Sequence, residues 1–307
     1  ADTDALSKSK FQNSNQKSGL GWNGTTNFPL IQGTDCCGEV VTVGSGAPKN
    51  LIGKRVLVRP CMKLGGLGST ERVWMASDFD GAFSEYVKVP FKEIFPVNSN
   101  WTDAELASIP CAYGTAENML FRSKCGRKTK ILITGASGGV GSIAVMILSK
   151  MGYDVHAVTG KKDKNDYLKN LGAKNVIDRK EFEGESKLLE KGTWDGVVDT
   201  VGGSSLTKIL AQVKPNGIVA SCGNAGGIKI NTTVMPFIIR GVKLWGIDSS
   251  GASIKRREFL WNEAEKLIDF NKLKSLTKEL SFTELLNIYP KLLEGKFFGR
   301  AIVNPNK

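Results

Sequence analysis

Histidine is nearly absent from this chain: among 307 residues there is one, His156. Imidazole-based nucleophilic catalysis would have to recruit that single residue, which lies inside the apolar run Val155 to Val158. A packed or edge histidine of a strand is the preferred reading over a catalytic one. The six cysteines, Cys36, Cys37, Cys61, Cys111, Cys125 and Cys222, are scattered and form no C-x-x-C pair. That spacing argues against a dithiol redox motif and a disulfide scaffold, so a reducing, cytoplasmic compartment is expected. The opening residues ADTDALSKSK have neither the apolar core of a secretory leader nor the Arg-rich face of a transit peptide. No internal repeat, low-complexity tract or charge block stands out. With 41% apolar and 23% charged residues, the composition is that of a folded chain of about two domains.

The formal charge is +12, which suits acidic partners: a phosphorylated cofactor, an anionic substrate, nucleic acid or a membrane surface. Nucleic acid is disfavoured because no basic and aromatic interleaving of the RNA-binding kind is visible. A membrane span is tested by Ile131 to Ser149, which carries no charge across 19 residues. Gly135, Gly138, Gly139 and Gly141 break that run into a short strand ILIT, a turn and a helix with apolar positions at Val140, Ala144, Ile147, Leu148 and Met151. Strand, turn and helix is therefore expected, with no membrane partner.

From Lys130 onward strand and helix signals alternate. ILIT, a helix, VHAV, a polar helix around Tyr167, Leu168 and Leu171, and NVID make one βαβαβ unit. GVVDTV, a helix with Leu206, Ile209, Leu210 and Val213 on one face, a KPNG turn, GIVASC and finally VKLWGI make a second series. Such alternation predicts a doubly wound parallel sheet covered by helices on both faces. The front of the chain reads differently. Its short β-branched runs GEVVTV, RVLVRP and SEYVKVP, separated by Gly, Pro and Asn, predict a mostly antiparallel β domain. The expected division is 1–112, joined by 251–307, for the front domain and 113–250 for the nucleotide-binding domain. Val242 to Ile247, at an outer edge of the sheet, has an apolar alternation that invites pairing into a homodimer, with Lys243 as the argument against.

The turn Gly135-Ala136-Ser137-Gly138-Gly139-Val140-Gly141 is the strongest chemical signal. Glycine is needed where backbone approaches a pyrophosphate and where helix packs closely on strand, and the helix start offers free N–H groups to an anion. Its pattern is A-x-G-x-x-G, and its place between strand and helix favours dinucleotide binding over a merely structural turn. At the end of the next strand an NAD enzyme places an acidic residue for the ribose 2′-hydroxyl. Here Thr159, Gly160, Lys161 and Lys162 stand instead, and a hydroxyl with two ammonium groups favours the 2′-phosphate of NADP(H). The alternative is that both lysines are solvated loop residues.

These features together resemble the medium-chain dehydrogenase/reductase superfamily. Gly33 to Val40 is similar to its G-x-D-x-x-G turn, Gly81 to Tyr86 to its G-x-[FY]-[AS]-E-[YF] segment, and Ile131 to Gly141 to its cofactor turn. Val155 to Gly172 and Asn231 to Ser249 resemble the zinc-independent reductases of the acrylyl-coenzyme A reductase and quinone oxidoreductase type. The resemblance implies a Rossmann domain plus a GroES-like β domain, here expected to be truncated at its N-terminus. It implies a catalytic role for Thr115, whose alternative is a plain helix-start hydroxyl, and for Asp4. For the cofactor it implies Tyr167, Cys222, Gly223, Asp248 and Arg300 beside the turn and strand-tip residues. Zinc members carry histidine where this chain has Thr34 and cysteine where it has Ala1, leaving Cys111 alone; the structural zinc lobe region holds Cys61 alone. No metal is therefore expected. The implied activity is NADPH-dependent hydride transfer to a small electrophilic alkene, an enoyl thioester or enone, or to a quinone. A cofactor-binding protein without turnover, and a dehydrogenase acting on alcohols or aldehydes, are the alternatives. Lys255, Arg256 and Arg257 are expected either as a cationic rim for a coenzyme A thioester or as a solvated helix face.

Overall fold

The computed structural model describes residues 29–63, 72–113, 115–116, 129–249 and 252–307. Asp4 lies outside the described residues. The chain forms two compact units, one of Ala1–Cys111 with Thr277–Lys307 and one of Ala112–Leu276.

In the first unit the strands are β1 (Cys36–Glu39), β2 (Arg55–Val58), β3 (Cys61–Lys63), β4 (Arg72–Trp74) and β5 (Ile94–Pro96). They make two antiparallel assemblies, a sheet of order β1-β2-β5 and the pair β3-β4. Val56, Leu57 and Val58 of the central strand are buried, as β-branched and aliphatic residues on a covered sheet should be. The first strand falls two residues earlier than GEVVTV suggests, because Val40 exchanges hydrogen bonds with Gly53 and Lys54 and the ladder ends there. SEYVKVP, expected as a strand, joins no ladder among the described residues. Ser84 Oγ instead donates to the carbonyls of Gly81 and Tyr86, a local bond that competes with strand pairing. The two motif segments interlock through backbone bonds, Ala82 N–H to Gly33 O at 2.9 Å and Phe83 N–H to Gln32 O at 2.8 Å. Helix α1 (Asp103–Ala107) starts at a capping box in which Thr102 and Glu105 satisfy each other's backbone N–H.

The second unit is a parallel sheet. In chain order it runs β6 (Lys130–Ile133), α2 (Gly139–Lys150), β7 (Asp154–Thr159), α3 (Asn165–Leu171), β8 (Asn175–Asp178), β9 (Trp194–Asp199), α4 (Gly203–Gln212), β10 (Val213–Ser221), α5 (Met235–Arg240), β11 (Lys243–Gly246), α6 (Ile254–Leu267) and α7 (Phe270–Leu276). The strand order is β11-β10-β9-β6-β7-β8, with every neighbour parallel. This is the doubly wound arrangement that the alternating signals predict. KPNG, expected as a turn before the strand, is instead absorbed into β10. Val213 pairs with Trp194 and the next partnered residue is Ile218, so the intervening residues bulge out, with Asn216 at φ 63°.

Uncharged Ile131 to Ser149 is resolved by burial. Ile143 to Leu148 of α2 are all at most 2% exposed, so the helix is apolar all round because it is covered all round. Among the described residues no helix is long and apolar enough to cross a membrane. On α4, Leu206, Ile209 and Leu210 point into one cluster with Val197, Val213 and Val219, each side chain worth about 1.5–3 kcal/mol of burial. The tail divides between the units, whereas the sequence reading gives all of 251–307 to the front. Residues Leu260, Trp261, Ala264, Leu273 and Leu276 are buried, and Asp269 N–H donates to Met146 Sδ at 3.4 Å, which ties α6 and α7 to the sheet unit. The remaining β12 (Thr277–Leu280), α8 (Phe282–Leu293) and β13 (Arg300–Val303) belong to the first unit, where β12 and β13 pair in parallel.

His156 is a packed strand residue, 8% exposed in β7. Asn175 Nδ2 donates to its Nδ1 at 3.3 Å, its Nε2 stands 3.2 Å from Asp154 Oδ1, and Trp194 meets the ring edge-on at 5.1 Å. Burial pushes the imidazole below its usual range, with Lys130 and Lys174 adding to this and Asp154 opposing it. Burial also acts to raise Asp154, but the Lys174 ammonium 2.9 Å away, with His156 and Lys130, holds it below the usual carboxylate range. Histidine is thus neutral in the fold, while the unfolded chain takes up its proton near pH 6.5. Stability from this group is present above that pH and lost below it. The melting temperature is expected to fall between pH 7 and pH 5, and the fall to be shallower in His156→Gln, as read by differential scanning calorimetry.

Candidate cofactor site

All six strands of the second unit end on the same side, and the strand order reverses between β6 and β9. A crevice at such a switch point, beyond the carboxyl ends, is where doubly wound sheets bind ligands. The sequence places the glycine turn there. Gly135 adopts φ 57°, and a Cβ on it would stand 2.3 Å from Thr200 Oγ1; one on Gly141 would stand 2.4 Å from Gly135 O. Only a bare backbone fits this cradle. Gly138 caps α2, and the intrahelical ladder opens with Ser142 N–H on Gly138 O. The first-turn N–H groups of Gly139, Val140 and Gly141 therefore have no acceptor within the helix and point to an anion. Beneath the turn, Ser142 Oγ donates to Ala136 O at 3.0 Å, and burial raises the Tyr167 phenol of α3, with Ser142 opposing the rise.

At the tip of β7 a polar cluster forms. Ser137 Oγ and Thr159 Oγ1 lie 3.0 Å apart, Lys161 N–H donates to Thr159 Oγ1 at 3.1 Å, and Lys161 Nζ donates to Ser137 Oγ at 3.3 Å. Burial lowers the Lys161 ammonium from its ordinary range; Asp163 opposes this, while Arg179 and Lys164 add to it. It is a cation short of counter-charge. Lys162, by contrast, is 83% exposed and 4.0 Å from Asp178, a solvated surface pair.

Arg179 is the residue that sequence reading missed. Thr159 pairs with Asp178 across the β7–β8 ladder, so the next residues, Gly160 and Arg179, leave the sheet side by side. A Cβ on Gly160 would stand 2.7 Å from Arg179 Cδ and Nε, which shows the guanidinium stem lying over the bare Gly160 backbone. Its carboxylate neighbour, Glu183 at 3.6 Å, is exposed and weakly held. A basic residue directly after the third strand of a βαβαβ unit was the available signal.

Cys222, Gly223 and Asp248 follow β10 and β11 at the same end of the sheet. Cys222 N–H donates to Asp199 O at 2.9 Å. Thr115 is 5% exposed, and its hydroxyl donates to Ser249 Oγ at 2.8 Å. Arg300 lies on β13 of the first unit, where its guanidinium pairs with Asp35 at 2.6 Å. Arg257 is buried, 7% exposed, and donates to Ser249 O at 3.0 Å.

The comparisons with known proteins bear on the whole chain. Residues 6–99 match the alcohol dehydrogenase GroES-like domain and residues 139–270 the zinc-binding dehydrogenase model. A probable acrylyl-CoA reductase of Escherichia coli is 38% identical over 287 residues, 91% of this chain and 83% of the relative. The chain belongs to the zinc-independent branch of the medium-chain dehydrogenase/reductase superfamily. Among solved members, the E. coli protein YhdH with bound NADPH superposes with TM-score 0.82 at 34% identity, covering 99% of this chain and 87% of that one. Bacillus subtilis YhfP with bound NAD gives 0.80 at 32% identity over the same shares. This medium-chain dehydrogenase/reductase is an oxidoreductase. The zinc suggested by the second family description does not fit the donor set. Thr34 stands at a ligand position, burial pushes the neighbouring Cys36 and Cys37 thiols to about 11 and about 12, and among the described residues no three His, Cys, Asp or Glu side chains converge.

Proposed function

We propose that this oxidoreductase uses NADPH to reduce a small electrophilic alkene or quinone. The observation that carries the cofactor choice is the pairing of Lys161 and Arg179 at adjoining strand tips, where no carboxylate ends β7. The cradle fits a pyrophosphate, and the half-buried Lys161 ammonium fits the 2′-phosphate. When bound, the reduced nicotinamide supplies the hydride. The chain's own work is to hold and orient: the first turn of α2 binds the pyrophosphate, Ser137, Thr159, Lys161 and Arg179 bind the 2′-phosphate, and Thr115 Oγ1 presents a buried hydroxyl steadied by Ser249. The acceptor class is supported by the names of two relatives, the acrylyl-CoA reductase of E. coli and a putative quinone oxidoreductase of B. subtilis. A thioester would find Lys255 exposed and Arg256 half-exposed over the Phe259 ring, without Arg257. The reading includes a reducing, cytoplasmic setting, supported by scattered cysteines that form no C-x-x-C pair.

NADPH should bind at least tenfold more tightly than NADH, a ratio worth about 1.4 kcal/mol. Lys161→Ala and Arg179→Ala should each weaken NADPH about tenfold and leave NADH within about twofold, by titration calorimetry. Equal affinities for both cofactors in the wild type would overturn the choice. A panel of enoyl thioesters, enones and quinones, followed by NADPH absorbance, tests turnover. Alkene or quinone reduction is expected, and oxidation of NADPH by aldehydes alone would reassign the substrate class.

The same reading includes a homodimer. Strand β11 is the outermost strand of its sheet, and Ile238 and Ile239 of the preceding α5 are 68% and 61% exposed, so an open edge lies beside apolar surface. Light scattering should give twice the 33.2 kDa chain mass. Ile238→Lys combined with Ile239→Lys should give the monomer.

A further inference from the structure

Asp199, at the end of β9, is fully buried. Its carboxylate accepts hydrogen bonds from three segments and, among the described residues, from no lysine or arginine. Thr134 Oγ1 at the tip of β6 donates to Oδ1 at 2.8 Å, and Ser221 Oγ at the tip of β10 donates to Oδ2 at 2.8 Å. The N–H of Val201 donates to Oδ1 at 3.2 Å, and that of Gly202 reaches Oδ1 at 3.2 Å and Oδ2 at 3.1 Å. Thr134 is itself locked to the next residue: Thr200 N–H donates to Thr134 Oγ1 at 2.9 Å, and Thr200 Oγ1 donates to Thr134 O at 2.8 Å. A buried carboxylate is tolerated only when its lone pairs are taken up, and here they are taken up by the tips of the two flanking strands, β6 and β10, and by the turn that follows β9.

The network spans the switch point, since β6 and β9 are the strands between which the order reverses. Thr200, held by it, is the residue against which both flanking backbones rest. A Cβ on Gly135 would stand 2.3 Å from Thr200 Oγ1, and one on Gly223 would stand 1.9 Å from Thr200 O. We infer that Asp199 is a positioning residue for the nicotinamide-side half of the dinucleotide, fixing Thr200 as the floor between the glycine turn and the Cys222–Gly223 segment. A dinucleotide lies across such a crevice with one mononucleotide over each half of the sheet. If the 2′-phosphate is at the tips of β7 and β8, the other half lies over β9 and β10, where Asp199 acts and Lys161 does not. The inference rests on the NADP(H) reading, and its test separates the two.

Wild type, Asp199→Asn and Ser221→Ala are titrated by calorimetry with NADPH and with adenosine 2′,5′-bisphosphate, which carries only the 2′-phosphate half. Asn keeps the size of Asp199 but turns an N–H₂ toward groups that donate, whereas Ser221→Ala removes one donor and leaves the carboxylate in place. Asp199→Asn should weaken NADPH at least tenfold and the bisphosphate less than twofold, with Ser221→Ala shifted the same way by about threefold. A parallel loss of both ligands would reduce Asp199 to general support of the fold, and unchanged NADPH affinity would remove its role altogether; either overturns the inference. Should Asp199→Asn fail to fold, Ser221→Ala carries the same comparison. Wild type that binds neither ligand would overturn the NADP(H) reading and the inference together.

Discussion

Parallel pairing is the constraint from which the site follows. When six strands all run the same way, their carboxyl ends and the loops that leave them crowd one edge of the sheet, and each crossover must return over a face. The turn before α2, the Thr159–Lys161 tip, Arg179, the Asp199 network and the Cys222–Gly223 segment are far apart in the chain. They are neighbours because the ladders fix their order and register. Close backbone approach then selects the residue types: glycine at 135 and 160, where a side chain would collide with the residue that leaves a neighbouring strand, and at 141, where it would collide with the turn's own backbone.

The two ends of this sheet treat charge in opposite ways. At the amino ends, Asp154 is paired with Lys174 at 2.9 Å, and Asp195 takes Lys214 Nζ at 3.0 Å and the Lys130 N–H at 2.9 Å. Carboxylates there are matched within the fold. At the carboxyl ends the matched carboxylate is Asp199, saturated by neutral donors, while Lys161 is left half-buried with hydroxyls for company. A net charge of +12 spread over a surface says little about a partner, but one desolvated ammonium beside a helix start says where an anion belongs.

Much of this was legible in the sequence, and the exceptions have physical causes. The strand, glycine turn and helix over 131–150 were readable because the turn chemistry and the change from period 2 to period 3.6 coincide there. NVID was found residue for residue. SEYVKVP was misread since β propensity does not record that the Ser84 hydroxyl bonds the nearby Gly81 and Tyr86 carbonyls, and KPNG because a bulge and a turn use the same residues. Of the site, the local motif was visible, but Arg179 and Asp199 meet their neighbours through register across strands, which no window along the chain reports. The pairing of Arg300 with Asp35, 265 residues earlier in the chain, was likewise beyond any such window.

The all-round burial of α2 has a consequence for how the chain is made. A helix with no polar face has nowhere to sit until its cover exists, and part of that cover comes from far downstream: Asp269, which bonds Met146, is 123 residues later in the chain. At about 5–20 residues per second, synthesis takes on the order of ten seconds to cross that distance. During that interval an uncharged stretch as long as a membrane span is incompletely shielded in a nascent chain. Until its cover arrives, such a segment is an aggregation hazard that the finished fold removes.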